Sequence, residues 1–593
     1  MKKGTFLIAI AVVVAGIGVA HALTFPAGTY YFDNSVVKWS VPQITIESSD
    51  GIVTEKLEVT EAVDTRYQFT LLSTIDDVAG YYFSDAILND DDDDDDDYER
   101  TDLLTIDPVA GSAFYPTIVV LANRGGEVER KGFWRSLSSY GLTPSGTLPV
   151  LYINTENNEP ITSKESYVEA TYYLDPMGIE GIEAIGSAEK PLATQIKGRG
   201  NVTWNTFDKK PYRLKLDKKA ALLGMKKRKH FVLLAHYEDY YCYARDHLGF
   251  EIARRMGMPW TPEHRPIELV LNGDYVGLYW LTEKIRVDED RVNITEQKDN
   301  ETEPELITGG WLVEIDNYPA DGQVKITEGD GSRLRFTPDT PEELSAEQRA
   351  YLTDLVTATD KAIYNKVKSS TEWEKYIDID ALARFYVINE VMDNAEAFSG
   401  SCYWNKERGD DTKIVFGPVW DFGNSMIFIK PQGPHFIYDY DTDTFGHHWI
   451  KEIAKYPRFR RAVKAQWPRY RDEIYPEINT IIDNYISSIA GAVRVDVERW
   501  PKGPSSSFFG MSYSLKSKFK MKYDFLCEQW NKVDIVKGDI NDDGNIDSAD
   551  VAILLEKVLS DGDYEEAADI NDDNSIDSAD VAILLEIVLA GKE

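Results

Sequence analysis

The chain has few cysteines for its length. Only three occur among 593 residues, Cys242, Cys402 and Cys527, and so sparse and odd a set excludes a disulfide framework and a four-thiolate zinc site. Cations are also scarce: 64 Lys and Arg face 101 Asp and Glu, which gives a formal net charge of −37. Because phosphate backbones and anionic lipids repel such a chain, the composition argues against a protein that coats nucleic acid or membranes.

Long apolar runs are missing after the N-terminus. The first residues combine two lysines, an apolar run over 6–19 and the small-residue site Ala20-His21-Ala22, the order expected of a secretory signal peptide. A retained membrane anchor is the alternative, but the run is shorter than the roughly 20 residues that span a bilayer. The sequence therefore predicts a signal peptide over 1–22, no membrane span after its cleavage, and a secreted, extracellular or cell-surface protein.

Three familiar enzyme motifs are also missing. The chain contains no GxSxG nucleophile elbow, no HExxH zinc motif and no P-loop, so the corresponding enzyme classes lose support. Its 43% hydrophobic and 12% aromatic residues suffice for sizeable cores. The length corresponds to roughly three or four domains, and the sequence therefore predicts a globular multidomain protein.

Residues 23–147 show the pattern of a β-domain. Short alternating runs such as 29–32 and 67–71 are separated by Gly, Asp, Asn and Pro, which predicts an all-β, sandwich-like domain. Within it, Asp90 to Asp97 form an uninterrupted acidic run. Mutual repulsion predicts that this run is a solvated loop, and calcium capture by the run is the weaker alternative.

Residues 148–531 mix strand and helix signals. Runs at 148–153 and 211–216 resemble strands, 246–256 has helical periodicity, and 266–281 reads as a hairpin around a glycine-containing turn. The later part is mainly helical in pattern. We therefore predict an α+β region with a β-rich first lobe and a helical second lobe.

The end of the chain contains an internal repeat. Residues 539–559 and 569–589 are nearly identical, and each copy opens with a twelve-residue acidic loop. Oxygen-bearing side chains at alternate loop positions can surround Ca²⁺ with six to eight ligands, so two bound calcium ions are predicted. The predicted ligands are Asp539, Asn541, Asp543, the main-chain carbonyl of Asn545, Asp547 and Asp550 in the first loop, and Asp569, Asn571, Asp573, Ser575, Asp577 and Asp580 in the second.

Position 12 of each loop is Asp rather than Glu, and a single helix is predicted after each loop. These features make 533–593 resemble a type I dockerin, a small α-helical module with two calcium loops. The resemblance implies that it binds a cohesin module of a scaffoldin in a cellulosome-type complex. The implied cohesin contacts are Ser548, Ala549, Ser578 and Ala579. The alternative is that the loops are only structural calcium sites.

The central region carries a basic strand in an otherwise acidic protein. The segment 209–215 contains four cations, and strand alternation places Arg213 and Lys215 on one face. This clustering indicates either an anionic ligand such as a polyphosphate or a solvated basic face that balances nearby acids. Further on, Glu396 and Asp421 flank a predicted hairpin. Two carboxylates suit phosphoryl transfer, where one orients the attacking hydroxyl and the other holds Mg²⁺ on the phosphates.

The segments KGRGNVTW, KKPYRLKLDKKAALLGM, LNGDYVGLYWLTEKIRVDEDRVNI, INEVMDNAEAF and FGPVWDFGNS follow one another within about 148–430. In this order they resemble the CotH (spore-coat protein H) family of secreted kinases, which implies an atypical protein-kinase-like fold. The resemblance implies that Asp421 is catalytic and holds Mg²⁺ or Mn²⁺ with ATP. It also implies nucleotide-binding roles for Lys210, Arg213, Lys215 and Glu283.

Glu396 stands where the family typically has its catalytic Asp, and Asp393 is the alternative base. The resemblances together predict a secreted, scaffold-docked kinase that transfers the ATP γ-phosphoryl group to a protein or another hydroxyl-bearing substrate. The alternative is a non-catalytic, carbohydrate-binding or carbohydrate-active component for polysaccharide degradation. A faint resemblance of 30–39 to starch-binding modules favours that alternative.

Overall fold

The computed structural model describes residues 23–590 except 49–51, 64–65, 87–99, 122–126, 238–242, 319–321, 327–333, 369, 428, 430–432, 441–447, 501–507, 531–535, 542–544, 561–564, 566, 572 and 574. The predicted signal peptide and the Asp90 to Asp97 run lie outside the described residues. The chain divides into two units. The first comprises residues 1–238, 264–283 and 488–506, and the second comprises 239–263, 284–487 and 507–593.

The first unit begins with two β-sheets that share one hydrophobic core. Their strands are β1 (Leu23–Phe25), β2 (Gly28–Asp33), β3 (Pro42–Ser48), β4 (Val53–Leu57), β5 (Glu61–Val63), β6 (Arg66–Leu71), β7 (Ile75–Asp85), β8 (Ser112–Leu121) and β9 (Glu127–Ser136). One sheet has the order β1-β7-β3-β4 and the other β5-β6-β2-β8-β9. The predicted strands at 29–32 and 67–71 are confirmed as parts of β2 and β6.

Aromatic side chains fill the core between these sheets. Tyr30, Phe32 and Trp39, which carry the faint resemblance to a starch-binding module, are at most 3% exposed. Phe32 stacks on Trp39 with ring centroids 5.2 Å apart. Every described aromatic side chain of these two sheets is buried or half-buried. These rings therefore stabilise the sheets and form no exposed sugar-binding platform within the described residues.

A closed β-barrel follows the two sheets. Its strands are β10 (Val150–Thr155), β11 (Val168–Asp175), β12 (Leu192–Gly198), β13 (Tyr212–Ala220), β14 (Arg228–Leu234), β15 (His264–Leu271) and β16 (Asp274–Glu283), with a short helix α1 (Val202–Thr206) between β12 and β13. The barrel closes where β10 pairs in parallel with β15, with Val150 opposite Glu268. The hairpin predicted at 266–281 is present. Its turn residues Asn272 and Gly273 have φ of 52° and 80°, the left-handed values that a type I′ turn requires.

A buried charge network connects one of the two sheets, the barrel and the end of a helix within the first unit. Arg135 from β9 donates two hydrogen bonds to the Asp274 carboxylate, at 2.9 and 3.2 Å. Arg499, the last residue of α8 (Ile478–Arg499), lies 3.4 Å from the same carboxylate and donates to the main-chain oxygen of Tyr275 at 3.0 Å. Both guanidinium groups are 2% exposed, so Asp274 is their principal compensating charge.

We expect Asp274→Asn to lower the free energy of unfolding by about 1.5–3 kcal/mol, because charged hydrogen bonds to two buried cations are lost. Urea denaturation followed by circular dichroism measures this change. Asp217→Asn, at an exposed position on β13, is the matched control and should leave the midpoint unchanged. Equal midpoints for Asp274→Asn and the wild type would contradict the structural role given to this network.

The second unit is mainly helical around one small sheet. Its sheet has the order β18-β19-β17-β20-β21, with β17 (Trp311–Ile315), β18 (Val324–Lys325), β19 (Arg335–Thr340), β20 (Cys402–Lys406) and β21 (Val415–Phe416). Its helices are α2 (Arg245–Arg255), α3 (Pro304–Ile307), α4 (Ala346–Ile363), α5 (Ile379–Val391), α6 (His448–Ile453), α7 (Pro457–Pro468), the start of α8, α9 (Phe508–Trp530), α10 (Ser548–Ser560) and α11 (Ser578–Ala590). No helix of the described segments is long and apolar enough to cross a membrane.

Local sequence explains where the second unit's main helices begin. Ser345 and Gln348 form a capping box at the start of α4, in which each side chain bonds the other residue's main-chain amide. Asp378 caps α5 by accepting the amide of Ala381 at 2.8 Å. The fold is thus multidomain: N-terminal β-sheets, a central mixed α/β region with a barrel, and a C-terminal helical repeat.

Candidate active site and calcium loops

Glu396 lies in the turns that follow α5, in the second unit. Its carboxylate accepts hydrogen bonds from the side-chain amides of Asn424, on Oε2, and Asn317, at 3.3 Å on Oε1. Burial, together with the negative charge of Asp421, raises the pKa of Glu396 to about 7. A carboxylate with a pKa near neutrality is suited to accept a proton at physiological pH.

Asp421 lies on the loop after β21 and has a left-handed φ of 54°. Such a conformation is uncommon for a non-glycine residue and persists where the surroundings determine it. Here Asn394 donates to the main-chain oxygen of Asp421 at 3.2 Å, and the amide of Phe422 donates to Asp246 at 2.6 Å. The loops that carry Glu396 and Asp421 are therefore joined by hydrogen bonds from neighbouring residues.

The centre around Glu396 and Asp421 is electrostatically negative. Asp316 adds further negative charge near Glu396, and burial raises the pKa of Asp316 as well. Among the described residues, no group of three or more His, Cys, Asp or Glu side chains is arranged to hold a metal ion. Oxygen donors and repelling carboxylates nevertheless fit Mg²⁺ or Mn²⁺, since Mg²⁺ commonly uses one or two carboxylates together with substrate phosphates and water.

Asp393, the alternative base, is part of a buried charge cluster. Its carboxylate accepts hydrogen bonds from Lys522 at 2.9 Å and from the Tyr440 hydroxyl at 3.0 Å. Lys522 also lies 2.5 Å from Glu390, and the side chains of Lys522, Glu390 and Asp393 are at most 1% exposed. Asp393 is thus enclosed and paired, whereas Glu396 is half-buried, which favours Glu396 as the candidate base.

The basic residues lie on the outer face of the barrel. In β13, Leu214 and Leu216 point into the core, whereas Lys215 is exposed and Arg213 half-buried. Arg213 is opposite Lys197 of β12 in the sheet register. The predicted common face of Arg213 and Lys215 is therefore confirmed, and it gains Lys197 as a third cation.

Two other predicted nucleotide-binding residues are engaged in internal contacts. Lys210 donates to the main-chain oxygen of Trp204 at 2.7 Å. Glu283, at the end of β16, is 2% exposed and pairs with Arg228 of β14 at 2.8 Å. Arg228 has no motif that marks it in the sequence; its role emerges only because β14 and β16 are neighbours in the barrel. The four predicted nucleotide-binding residues, Lys210, Arg213, Lys215 and Glu283, belong to the first unit. Glu396 and Asp421 belong to the second.

Asp550 and Asp580 close the two repeated loops in the same way. Each accepts main-chain amides of loop positions 2, 3 and 9, at 2.7, 3.2 and 2.9 Å in both copies. Because a carboxylate has about four lone-pair sites, these bonds leave capacity for a cation. The repeat is thus one of structure as well as of sequence.

Other predicted calcium ligands form hydrogen bonds within their own loop. In the second loop the amide of Asp573 donates to Asp569 at 3.1 Å, and that of Ser575 donates to Asp573 at 2.9 Å. Asp543 lies outside the described residues. The remaining predicted ligands are Asp539 and Asn541, Asn545 and Asp547, and Asn571 and Asp577, all on these loops. The carboxylate, amide, hydroxyl and carbonyl oxygens of this set fit a hard cation such as Ca²⁺.

The four predicted cohesin contacts are exposed at the starts of α10 and α11; they are Ser548, Ala549, Ser578 and Ala579. One turn or more further on, Leu555 and Leu585 occupy equivalent positions and are 45% and 42% exposed. The two helices therefore present similar surfaces with a small polar start and an apolar continuation.

Comparison with known families accounts for most of the chain. The family model described as CotH kinase protein matches residues 196–528, and the dockerin type I domain model matches residues 537–589. No curated protein matches the chain. Since the first match covers more than half of its length, the chain belongs to the CotH kinase protein family and carries a C-terminal type I dockerin domain.

Proposed function

We propose that this protein is a secreted kinase of the CotH type, with an atypical protein-kinase-like fold, that transfers the γ-phosphoryl group of ATP to a hydroxyl of a protein or another substrate. The observation that carries the proposal is the position of the Glu396 carboxylate, which is held by Asn317 and Asn424 and lies near enough to Asp421 to be affected by its charge. Glu396 accepts the proton of the attacking hydroxyl. Asn317 and Asn424, which bond its two oxygens, hold the carboxylate in position.

Asp421 would hold Mg²⁺ or Mn²⁺ bound to ATP, which neutralises charge on the transferred phosphoryl group when present. Arg213 and Lys215 are proposed to contribute cations to the phosphates, supported by their common outward face on β13. Lys210 and Glu283 are also proposed to act in nucleotide binding, Lys210 from its position beside Trp204 and Glu283 through its ion pair with Arg228. Lysine and arginine groups at such positions stabilise phosphate charge without themselves reacting.

Transfer of label from γ-labelled ATP tests this proposal. We expect incorporation by residues 23–593 with Mg²⁺ or Mn²⁺, and its loss in Asp421→Asn. The matched control Asp354→Asn removes an exposed carboxylate of α4 and should leave incorporation unchanged. Incorporation that persists in Asp421→Asn would refute the role of this carboxylate.

The pH dependence of transfer should follow the ionisation of Glu396. Because the raised pKa keeps this group protonated in acid, activity is expected to rise as pH increases through about 7 and then to level off. Measurements of kcat/KM between acid and mildly alkaline pH check this expectation. A flat profile across neutrality would contradict Glu396 as the base.

We further infer that the signal peptide spans 1–22, the β-domain 23–147, the kinase-like domain 148–531 and the dockerin 533–593. The dockerin indicates an extracellular, cellulosome-type component that binds a scaffoldin cohesin. The exposed Ser548, Ala549, Ser578 and Ala579 are the proposed contacts. The same dockerin supports the second candidate function, a non-catalytic or carbohydrate-directed component of polysaccharide degradation, which binding assays on polysaccharides would reveal.

Calcium removal is expected to unfold the dockerin selectively, because two small helices with a minor core depend on their ions. Treatment with EGTA should make residues 533–593 sensitive to protease while the rest of the chain persists. Excess Ca²⁺ should restore protection, and the double variant Asp550→Asn, Asp580→Asn should remain sensitive. Protease resistance that is unaffected by EGTA would contradict calcium-dependent folding.

A further inference from the structure

Helix α7 of the kinase-like domain contacts the first calcium loop of the dockerin. Arg461 forms an ion pair with the carboxylate oxygen Oδ2 of Asp539. One turn earlier, Arg458 donates from Nη1 to the side-chain oxygen of Asn545 at 3.0 Å. Two arginines on the same helix therefore bond the loop at positions 1 and 7.

Further contacts hold this interface in place. Arg458 is oriented by Glu374, whose carboxylate accepts hydrogen bonds from Nε at 2.8 Å and Nη2 at 3.3 Å. Beside it lies a cavity of about 260 Å³, lined by Val367, Lys368, Pro457 and Arg458 from the kinase-like domain and by Val536, Ile546 and Ile587 from the dockerin. The charge pairs thus lie beside apolar side chains of both domains.

The charges of the two partners are complementary. Helix α7 contains Arg458, Arg460, Arg461 and Lys464 and no acidic residue. Residues 537–589 contain 16 acidic residues and two lysines. Attraction between such surfaces is long-ranged at low salt and is screened as the ionic strength rises.

The two arginine contacts differ in their compatibility with calcium. At position 7 the proposed ligand is the main-chain carbonyl of Asn545, so its side chain can bond Arg458 while calcium is bound. At position 1 the proposed ligand is the Asp539 carboxylate itself, which is 1% exposed and paired with Arg461. A divalent cation at that carboxylate would face the guanidinium at short range, and like charges repel.

We propose that Arg461 competes with Ca²⁺ for Asp539, so that, in a dockerin kept folded by calcium in its second loop, the first loop is held against α7 until calcium binds there. This inference rests on the calcium loops proposed above. In the second loop, the carboxylate of the corresponding Asp569 accepts the amide of Asp573, and Lys537 donates to the main-chain oxygen of Asp569. The first residues of the two loops thus meet different cations. The two loops should therefore load at different calcium concentrations although their sequences are nearly identical.

Calorimetric titration of residues 23–593 with CaCl₂ alone tests the proposal. We expect two affinities in the wild type, and in Arg461→Gln the weaker site should tighten by about tenfold, a typical size for coupling between sites. Two control variants should keep calcium affinities within about twofold of the wild type. Arg458→Gln removes the contact that is compatible with calcium, and Arg471→Gln removes an arginine paired with Asp472.

Hydrogen exchange of α7 provides a second readout. Raising calcium from a concentration that loads the second loop to one that loads both loops should increase exchange at 457–468 in the wild type, whereas exchange there should change little in Arg461→Gln. Two calcium sites with the same affinities in Arg461→Gln and the wild type would overturn the competition and leave the calcium loops intact. Absence of any calcium binding would overturn both.

Discussion

Replacing Glu396 by Gln is expected to lower kcat for phosphoryl transfer by about 10²–10⁴-fold, the usual contribution of a positioned general base. The amide keeps the size of the side chain but cannot accept the proton. Its single carbonyl oxygen can replace only one of the two oxygens that accept from Asn317 and Asn424. Since Glu396 is not assigned to the nucleotide, KM for ATP should change little. Steady-state kinetics with varied ATP separates these two effects.

Two further variants sharpen this test. Glu396→Asp retains a carboxylate but shortens the side chain by one methylene, and misplacement of about an ångström can cost on the order of a hundredfold in rate. Its rate should therefore lie between those of the wild type and Glu396→Gln. Asp421→Asn, by contrast, should weaken metal-dependent ATP binding. A Glu396→Gln protein with the wild-type kcat would exclude this residue as the base.

Replacing Lys522 by Met is expected to lower the free energy of unfolding by about 3–5 kcal/mol. The change leaves two carboxylates, Glu390 and Asp393, close together in the interior without a cation. It also removes a hydrogen bond of 2.6 Å to the main-chain oxygen of His435. Burial already raises the pKa of Glu390, against the opposing effect of Lys522, so the site depends on this ammonium group.

Lys520→Met on the same helix is the matched control. Lys520 pairs with Asp524 at the surface, where both side chains are more than half exposed, and such pairs contribute little. In urea denaturation, the midpoint of Lys522→Met should therefore lie below those of the wild type and Lys520→Met. Similar midpoints for Lys520→Met and Lys522→Met would show that the buried cluster does not stabilise the fold.

Local patterns predicted the elements whose signals are contiguous in sequence. The hairpin at 266–281 could be predicted because Asn272 and Gly273 readily adopt left-handed φ values. The common face of Arg213 and Lys215 followed from strand alternation, since Leu214 between them and Leu216 after them pack in the core. The repeated loops followed from the spacing of their oxygen-bearing side chains, which the closing contacts of Asp550 reproduce in the structure.

Contacts between distant segments could not be predicted in the same way. Barrel closure depends on the parallel pairing of β10 with β15, which places Val150 opposite Glu268. No local sequence pattern encodes that these two edge strands pair. The burial of Asp393 depends on Lys522, 129 residues away, so the sequence alone left Asp393 open as the alternative to Glu396. The contact between Arg461 and Asp539 likewise requires the packing of two domains.

The most direct test of the kinase assignment is label transfer from γ-labelled ATP by the wild type and Glu396→Gln in one assay, above pH 7 with Mg²⁺ or Mn²⁺. The account predicts covalent label on a hydroxyl in the wild type and at least a hundredfold slower incorporation in Glu396→Gln. No incorporation by a wild-type protein that is folded and calcium-loaded, or equal incorporation by both proteins, would contradict it.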